Sequence, residues 1–174
     1  MATPPRYPLV TLTADVNVSR FDCGPRPGSA DINEYLKTRA LVEQQAGLTS
    51  VHVAIDSRAE SSGEIAGFFT LSPLSVPISA AVLAIIGVRN VPYRAVGGYL
   101  LGRLGVGAPY QGQQLGPALV AAAIKLARTA QRQAGGAFLA VDPKNDRLLA
   151  WYEQLDFGFT RLNHTDERNR RLVG

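Results

Sequence analysis

Cysteine and histidine are nearly missing from this chain: among 174 residues Cys23 is the single thiol, and His52 and His164 are the only imidazoles. One cysteine excludes an internal disulfide and any zinc site built from several thiolates. Two histidines without ligating residues at metal spacing offer no metal centre, so none is expected. Long apolar runs are absent too. No stretch approaches the ~18 consecutive apolar residues that a membrane helix needs, and no apolar run of signal-peptide length follows Met1 to Arg6. A cytoplasmic protein without a membrane partner is therefore expected. No internal repeat is visible.

What is present suits one folded unit. The length allows a single domain over residues 1–174 with a full core and is short for two. Seventeen glycines and eleven prolines imply many turns, and the net charge of +4 favours an anionic ligand or partner.

Along the chain, Tyr7 to Val18 alternates apolar and polar residues in the manner of a half-buried strand. After the turn Gly24 to Gly28, Ser29 can cap a helix carrying Ile32, Tyr35, Leu36, Leu41 and Val42, which Gly47 stops. Ser50 to Ile55 and Ile65 to Leu71 read as a hairpin with a long connection, ended by Pro73 and Pro77. Ala80 to Val88 is apolar without a period, and strand and short helix both remain open there. Gly97 to Val106 is strand-like and rich in glycine, the pattern of a bulge or of a close backbone approach. Pro117 to Arg132 predicts a helix with Leu119, Val120, Ala123, Ile124 and Ala127 on one face. Gly135 and Gly136 stop it, Ala137 to Val141 forms a strand, Asp146 to Leu155 a second helix, and Phe157 to Phe159 begins a last strand. The remainder, residues 163–174, reads as a mobile basic tail.

Chemistry concentrates between the glycine-rich strand and the long helix. A turn that opens a helix points free backbone N–H groups at one spot, where the helix dipole adds partial positive charge. In Gln111-Gly112-Gln113-Gln114-Leu115-Gly116, glycine lets the backbone approach an anion such as a pyrophosphate. An ordinary strand-to-helix turn is the alternative that spacing alone leaves open.

This turn resembles the acyl-CoA loop of the GNAT acyltransferase superfamily, Gln/Arg-x-x-Gly-x-Gly/Ala, with Gln111 at its first position, Gly116 at its last and Gln114 in place of the middle glycine. Ala150-Trp151-Tyr152-Glu153-Gln154-Leu155-Asp156-Phe157 is similar to the family's Ala-x-x-Phe-Tyr-x-x-x-Gly-Phe segment, with Asp156 replacing glycine. A third set is Phe21-Asp22-Cys23-Gly24, then Ile32, Tyr35, Leu36 and Arg39-Ala40, and finally Leu101-Gly102-Arg103-Leu104. It resembles the toxin-type GNAT proteins of bacterial toxin–antitoxin pairs, although Pro25 to Gly28 is inserted and Gly107 stands where aspartate is common.

The resemblance implies an α/β (α+β mixed) fold, a central mixed and mostly antiparallel sheet of six or seven strands flanked by about four helices. It implies acetyl-CoA as cosubstrate, held by Gln111 to Gly116. Leu104, Gly105 and Val106 would line the cosubstrate, and a backbone N–H within this stretch would lie beside the thioester carbonyl and hold the oxyanion. The Tyr152 hydroxyl would protonate the departing thiolate. Arg89 and Arg103 are the side chains expected on an anionic substrate, with Lys125, Arg128 and Arg132 as a further phosphate stripe or an ordinary solvated face. The implied acceptor is the amino group of aminoacyl-tRNA, the implied partners a ribbon-helix-helix antitoxin and a second copy of the chain joined through Ala80 to Tyr99. No histidine or carboxylate pair offers a base. An α-amine near ~7.7–8.0 can lose its proton to water, whereas lysine near ~10.4 cannot easily do so. Cys23 is not needed as a nucleophile. A small amine, a protein N-terminus, and a CoA-binding module without turnover are the competing readings.

Overall fold

A computed structural model describes residues 6–58, 63–162 and 172–174. The elements are β1 (Leu9–Thr11), α1 (Ser29–Thr38), α2 (Ala40–Gln45), β2 (Ser50–Ile55), β3 (Ile65–Pro77), α3 (Ala80–Ile86), β4 (Ala95–Val106), α4 (Leu115–Ala134), β5 (Leu139–Val141), α5 (Asp146–Gln154), β6 (Thr160–Arg161) and β7 (Leu172–Val173). Seven strands join in the order β1-β2-β3-β4-β5-β7-β6. The pairs β1–β2, β2–β3, β5–β7 and β6–β7 are antiparallel and β4–β5 is parallel, so the sheet is mixed and mostly antiparallel, as expected.

Two compact units emerge from the contacts, Met1–Leu71 with Arg103–Val120, and Ser72–Gly102 with Ala121–Gly174; β3, β4 and α4 each run through both. The first unit is built on Phe68, fully buried on β3, with the Phe21 ring edge-on at 5.3 Å and the Tyr35 ring stacked at 6.4 Å. Val51, Val53, Leu36 and Ala40 complete that core. Every residue from Ile65 to Leu71 is buried, which is why this segment reads as a continuous apolar run rather than an alternating one. The second unit gathers Val76, Val82, Val96, Phe138, Ala140 and Val173. Here β4 pairs with β5 only at Tyr99 to Leu101, while β4 itself continues to Val106.

Several boundaries differ from the sequence reading for local reasons. The first strand shrinks to Leu9–Thr11 because the chain turns at Thr13, whose carbonyl accepts the Val16 N–H. Gly28, at φ +85°, takes the cap position expected for Ser29, which is itself buried as the first helical residue. The expected single helix divides at Arg39, where φ reaches −119°. Ala80 to Ile86 settles as a helix, capped by Ser79 Oγ accepting from the Val82 N–H and stopped by Gly87 in the left-handed region. Five α-helices are formed among the described residues, against the expected four or so. Nor does Pro73 stop β3, which runs on to end at Pro77. The β2 ladder ends at Ser50 opposite Leu71, so Pro73 and Pro77 remove no donor from that pairing. The last strand starts at Thr160 rather than Phe157. Of the expected tail, residues 163–171, His164 among them, lie outside the described residues, while Leu172–Val173 form β7 and pair with β5 and β6.

Candidate active site

Glycine sets how closely the elements of the first unit approach one another. A Cβ on Gly105 would stand 2.8 Å from both Ile32 Cγ2 and Phe68 Cε1 and 3.1 Å from Cys23 Sγ. A Cβ on Gly67 would stand 2.9 Å from the Gly105 carbonyl and from Leu119 Cδ1. The end of β4 is thus pressed between α1, β3 and the start of α4, and only glycine fits.

From Gly107, whose N–H donates to the Ala66 carbonyl at 2.9 Å, the chain enters a 3-10 turn, Ala108–Tyr110. The turn that follows is fastened by its glutamines. Gln111 Nε2 donates to the carbonyls of Cys23 and Val106 at 2.8 and 3.0 Å. Gln113 Nε2 donates to the Pro109 carbonyl at 2.8 Å, and Gln113 Oε1 accepts from the Tyr7 hydroxyl at 3.3 Å. Gly112 and Gln114 both hold positive φ, +73° and +62°, and the Gln114 carbonyl receives the Ala118 N–H that opens α4. Among the described residues, the N–H groups of Gly112 to Gly116 have no backbone acceptor. The first N–H groups of a 20-residue helix have no partner within the helix and favour a phosphate-sized anion, so the residues present fit the pyrophosphate of a CoA ester.

The Cys23 carbonyl that receives Gln111 is fixed by a polar knot. Asp22 Oδ1 accepts from the Gly24 N–H at 2.8 Å and from Asn33 Nδ2 at 2.7 Å, and Asn33 Oδ1 accepts the Cys23 N–H at 2.8 Å. The Gly24 N–H, and then Asn33, hold the Asp22 carboxyl below its ordinary range. Burial, with the Asp22 charge behind it, pushes the Cys23 thiol up to about 11, an inert thiol rather than a nucleophile. His52 is structural as well: it hydrogen-bonds Ser50 Oγ at 2.8 Å and stacks on Phe69, and burial lowers its pKa.

Arg103 lies over the Tyr35 ring, 3.9 Å from its centroid, and its N–H donates to Thr70 Oγ1. Tyr35 in turn donates to Glu43 Oε2 at 2.9 Å, while Arg39 takes Glu43 Oε1 at 2.6 Å. Burial and then the bond to Glu43 push the Tyr35 phenol up to about 12. Among the described residues no carboxylate forms an ion pair with Arg103.

In the second unit, Asn145 caps α5 by accepting the Leu148 N–H at 2.9 Å. Tyr152 is 9% exposed, with Trp151 and Phe159 edge-on at 4.8 and 6.2 Å. Burial pushes its phenol up, so the group stays protonated. No hydrogen bond to its hydroxyl is formed among the described residues. Asp156, at the motif's glycine position, holds φ +55°. Arg89, beyond α3, is exposed, as are Lys125, Arg128 and Arg132 on α4. Of the residues expected at the site, Leu104 to Val106 and Gln111 to Gly116 are brought together by the Gln111 clamp; Tyr152 and Arg89 belong to the other unit. Among the described residues there is no cluster of His, Cys, Asp and Glu able to hold a metal, and no helix is long and apolar enough to cross a membrane.

The sequence reading overlooked Asn33, Asp56, Tyr110 and Tyr7. Only Asn33 carried a signal, an amide inside a helix whose propensity disfavours it.

The model of the acetyltransferase (GNAT) family matches residues 20–159. The chain belongs to the GNAT family. It is an acetyltransferase of that family with the GNAT fold. Solved structures carry the same architecture. KacT, as a tyrosine-to-phenylalanine mutant, is 22% identical with a TM-score of 0.80, over 98% of this chain and 95% of that one. AtaT complexed with acetyl-methionyl-tRNA is 24% identical, with a TM-score of 0.78 over 97% and 94%. An AtaT mutant toxin bound to acetyl-CoA and to the C-terminus of the antitoxin AtaR is 22% identical, with a TM-score of 0.76 over 98% and 93%.

Proposed function

We propose that this acetyltransferase is a toxin-type enzyme that acetylates the amino group of aminoacyl-tRNA and is neutralised by a small antitoxin of the ribbon-helix-helix class. The observation that carries the cosubstrate half is the turn from Gly112 to Gly116, which opens the long helix α4, has no backbone acceptor for its N–H groups among the described residues and is held by the Gln111 clamp. Acetyl-CoA, when bound, supplies the thioester whose carbonyl carbon the amine attacks. A backbone N–H within Leu104 to Val106 provides the oxyanion donor. Tyr152, kept neutral by burial, provides the proton for the thiolate. An α-amine of pKa near ~7.7–8.0 needs only water as base, which fits a site without histidine.

For the acceptor, the supporting observation is Arg103, a cation held flat on Tyr35 without a carboxylate partner among the described residues. Such a cation suits a substrate phosphate, and Arg89 is the second residue assigned to that role. AtaT, which shares the fold, is complexed with acetyl-methionyl-tRNA. A module without turnover is less well supported, because Gln114 and Asp156 both adopt the backbone conformation that glycine would supply. Exposed Val88 and Tyr93 suit a homodimer joined through Ala80 to Tyr99, and the expected compartment is the cytoplasm.

Incubation with acetyl-CoA and charged tRNA, followed by mass spectrometry of the released aminoacyl group, tests the reading. An N-acetylated product and growth arrest on induction are expected. Acetylation of small amines alone, with tRNA untouched, would defeat the tRNA assignment.

A further inference from the structure

Of the buried ionisable groups in the first unit, Asp56 has no part in the mechanism above. It is fully buried at the end of β2. Its carboxylate accepts the Arg58 backbone N–H at 3.0 Å and Arg58 Nε at 2.7 Å, with Nη2 as a further donor, and the Tyr110 hydroxyl bonds to it as well. Tyr110 is 4% exposed, and its single hydroxyl proton is shared between this carboxylate and Glu64 Oε2, which stands at 3.3 Å. The Asp56 N–H donates to the Glu64 carbonyl at 2.8 Å, which closes the base of the β2–β3 connection. The Tyr7 ring stands edge-on to Tyr110 at 5.9 Å, and the Tyr7 hydroxyl reaches Gln113.

Tyr110 immediately precedes Gln111. The N–H groups of Gly112 to Gly116 beyond it have no backbone acceptor among the described residues, so the path of the turn depends on side-chain ties and on its flanks. Gln111 fixes one flank through Cys23 and Val106. We infer that Tyr110, held at its hydroxyl by Asp56, fixes the other, and that this pair positions the turn for the phosphates of acetyl-CoA without touching the cosubstrate. A carboxylate is buried at large cost unless every lone pair is used, and here it is spent on the residue that leads into the turn. The inference rests on the assignment of Gln111 to Gly116 as the phosphate site.

Tyr110→Phe keeps the ring and removes the tether. Thiol release from acetyl-CoA is compared with release from S-acetylpantetheine, which lacks the pyrophosphate, using an amine that the intact enzyme accepts. A positioning role predicts that KM and Kd for acetyl-CoA rise about tenfold while kcat at saturation and the S-acetylpantetheine rate hold within about twofold. Asp56→Asn should reproduce the split more weakly, and serves if Tyr110→Phe fails to fold. Equal losses on both donors, or none on either, would overturn the inference. Wild-type protein that binds no acetyl-CoA would overturn the phosphate-site assignment with it. Tight binding by wild type and both variants alike would overturn this inference alone.

Discussion

The Arg103 guanidinium lies 3.9 Å from the centre of the Tyr35 ring, and that ring is fixed from behind by Glu43. A stacked guanidinium keeps its edge N–H donors available for an anion. Arg103→Ala should raise KM for charged tRNA about tenfold, a cost of ~1–2 kcal/mol, and leave acetyl-CoA affinity unchanged. Arg103→Lys should recover only part of it. Salt titration of KM checks the assignment, since loss of a phosphate contact shallows the salt dependence.

Removing the Gln111 amide strips a donor from the carbonyls of Cys23 and Val106. Gln111→Ala should weaken acetyl-CoA binding or lower stability by about 1–3 kcal/mol. Calorimetry and thermal melts together show how that loss divides.

Gln114 and Asp156 are the only described non-glycine residues with positive φ. A left-handed non-glycine residue costs about 1–2 kcal/mol, offset in part by the extra unfolded-state freedom of glycine. Gln114→Gly and Asp156→Gly should each stabilise the fold by up to ~1 kcal/mol, and Gln114→Gly should not weaken acetyl-CoA binding. Denaturant melts and a cosubstrate titration check both.

Tyr152→Phe should lower kcat by about 100-fold or more with the Kd for acetyl-CoA unchanged. Because burial moves the phenol up, the wild-type rate should show no alkaline loss from tyrosine ionisation through pH 9. A stopped-assay pH profile reads this directly.

Asp56 also gives acid stability a definite window. Hydrogen bonds from Arg58 and Tyr110 outweigh its burial and hold its carboxyl at about 2, below the ordinary 3.8. A depressed folded value means that the group stabilises the fold above the unfolded pKa, and that this is lost as pH falls from about 4 toward 2. Melting temperatures of wild type and Asp56→Asn should converge across that range.

Much of this architecture was written in local chemistry. The long helix, the glycine-dense strand and the turn between them were legible because helical spacing, glycine density and the Gln111 to Gly116 pattern are properties of neighbouring residues. Less visible was anything decided by distant partners. Pro73 looked like a strand terminator because the sequence does not reveal where the β2 ladder ends. The break at Arg39 and the strand Leu172–Val173 depend on packing and pairing with segments far along the chain. At the site, Gln114 read as a departure from the motif when only its residue type was considered, yet its backbone takes the conformation that glycine would supply. Tyr110 and Asp56 were missed because their partnership spans a separation no motif records.

The N–H groups of Gly112 to Gly116, which have no backbone acceptor among the described residues, also make this turn its own reporter. Amides without an acceptor exchange their hydrogens with solvent quickly, whereas those inside α4 and β3 wait for the structure to open. Loading the turn with a phosphate ester should therefore slow deuterium uptake at five consecutive positions and leave the buried strands as they were, so that occupancy can be followed in the unmodified protein.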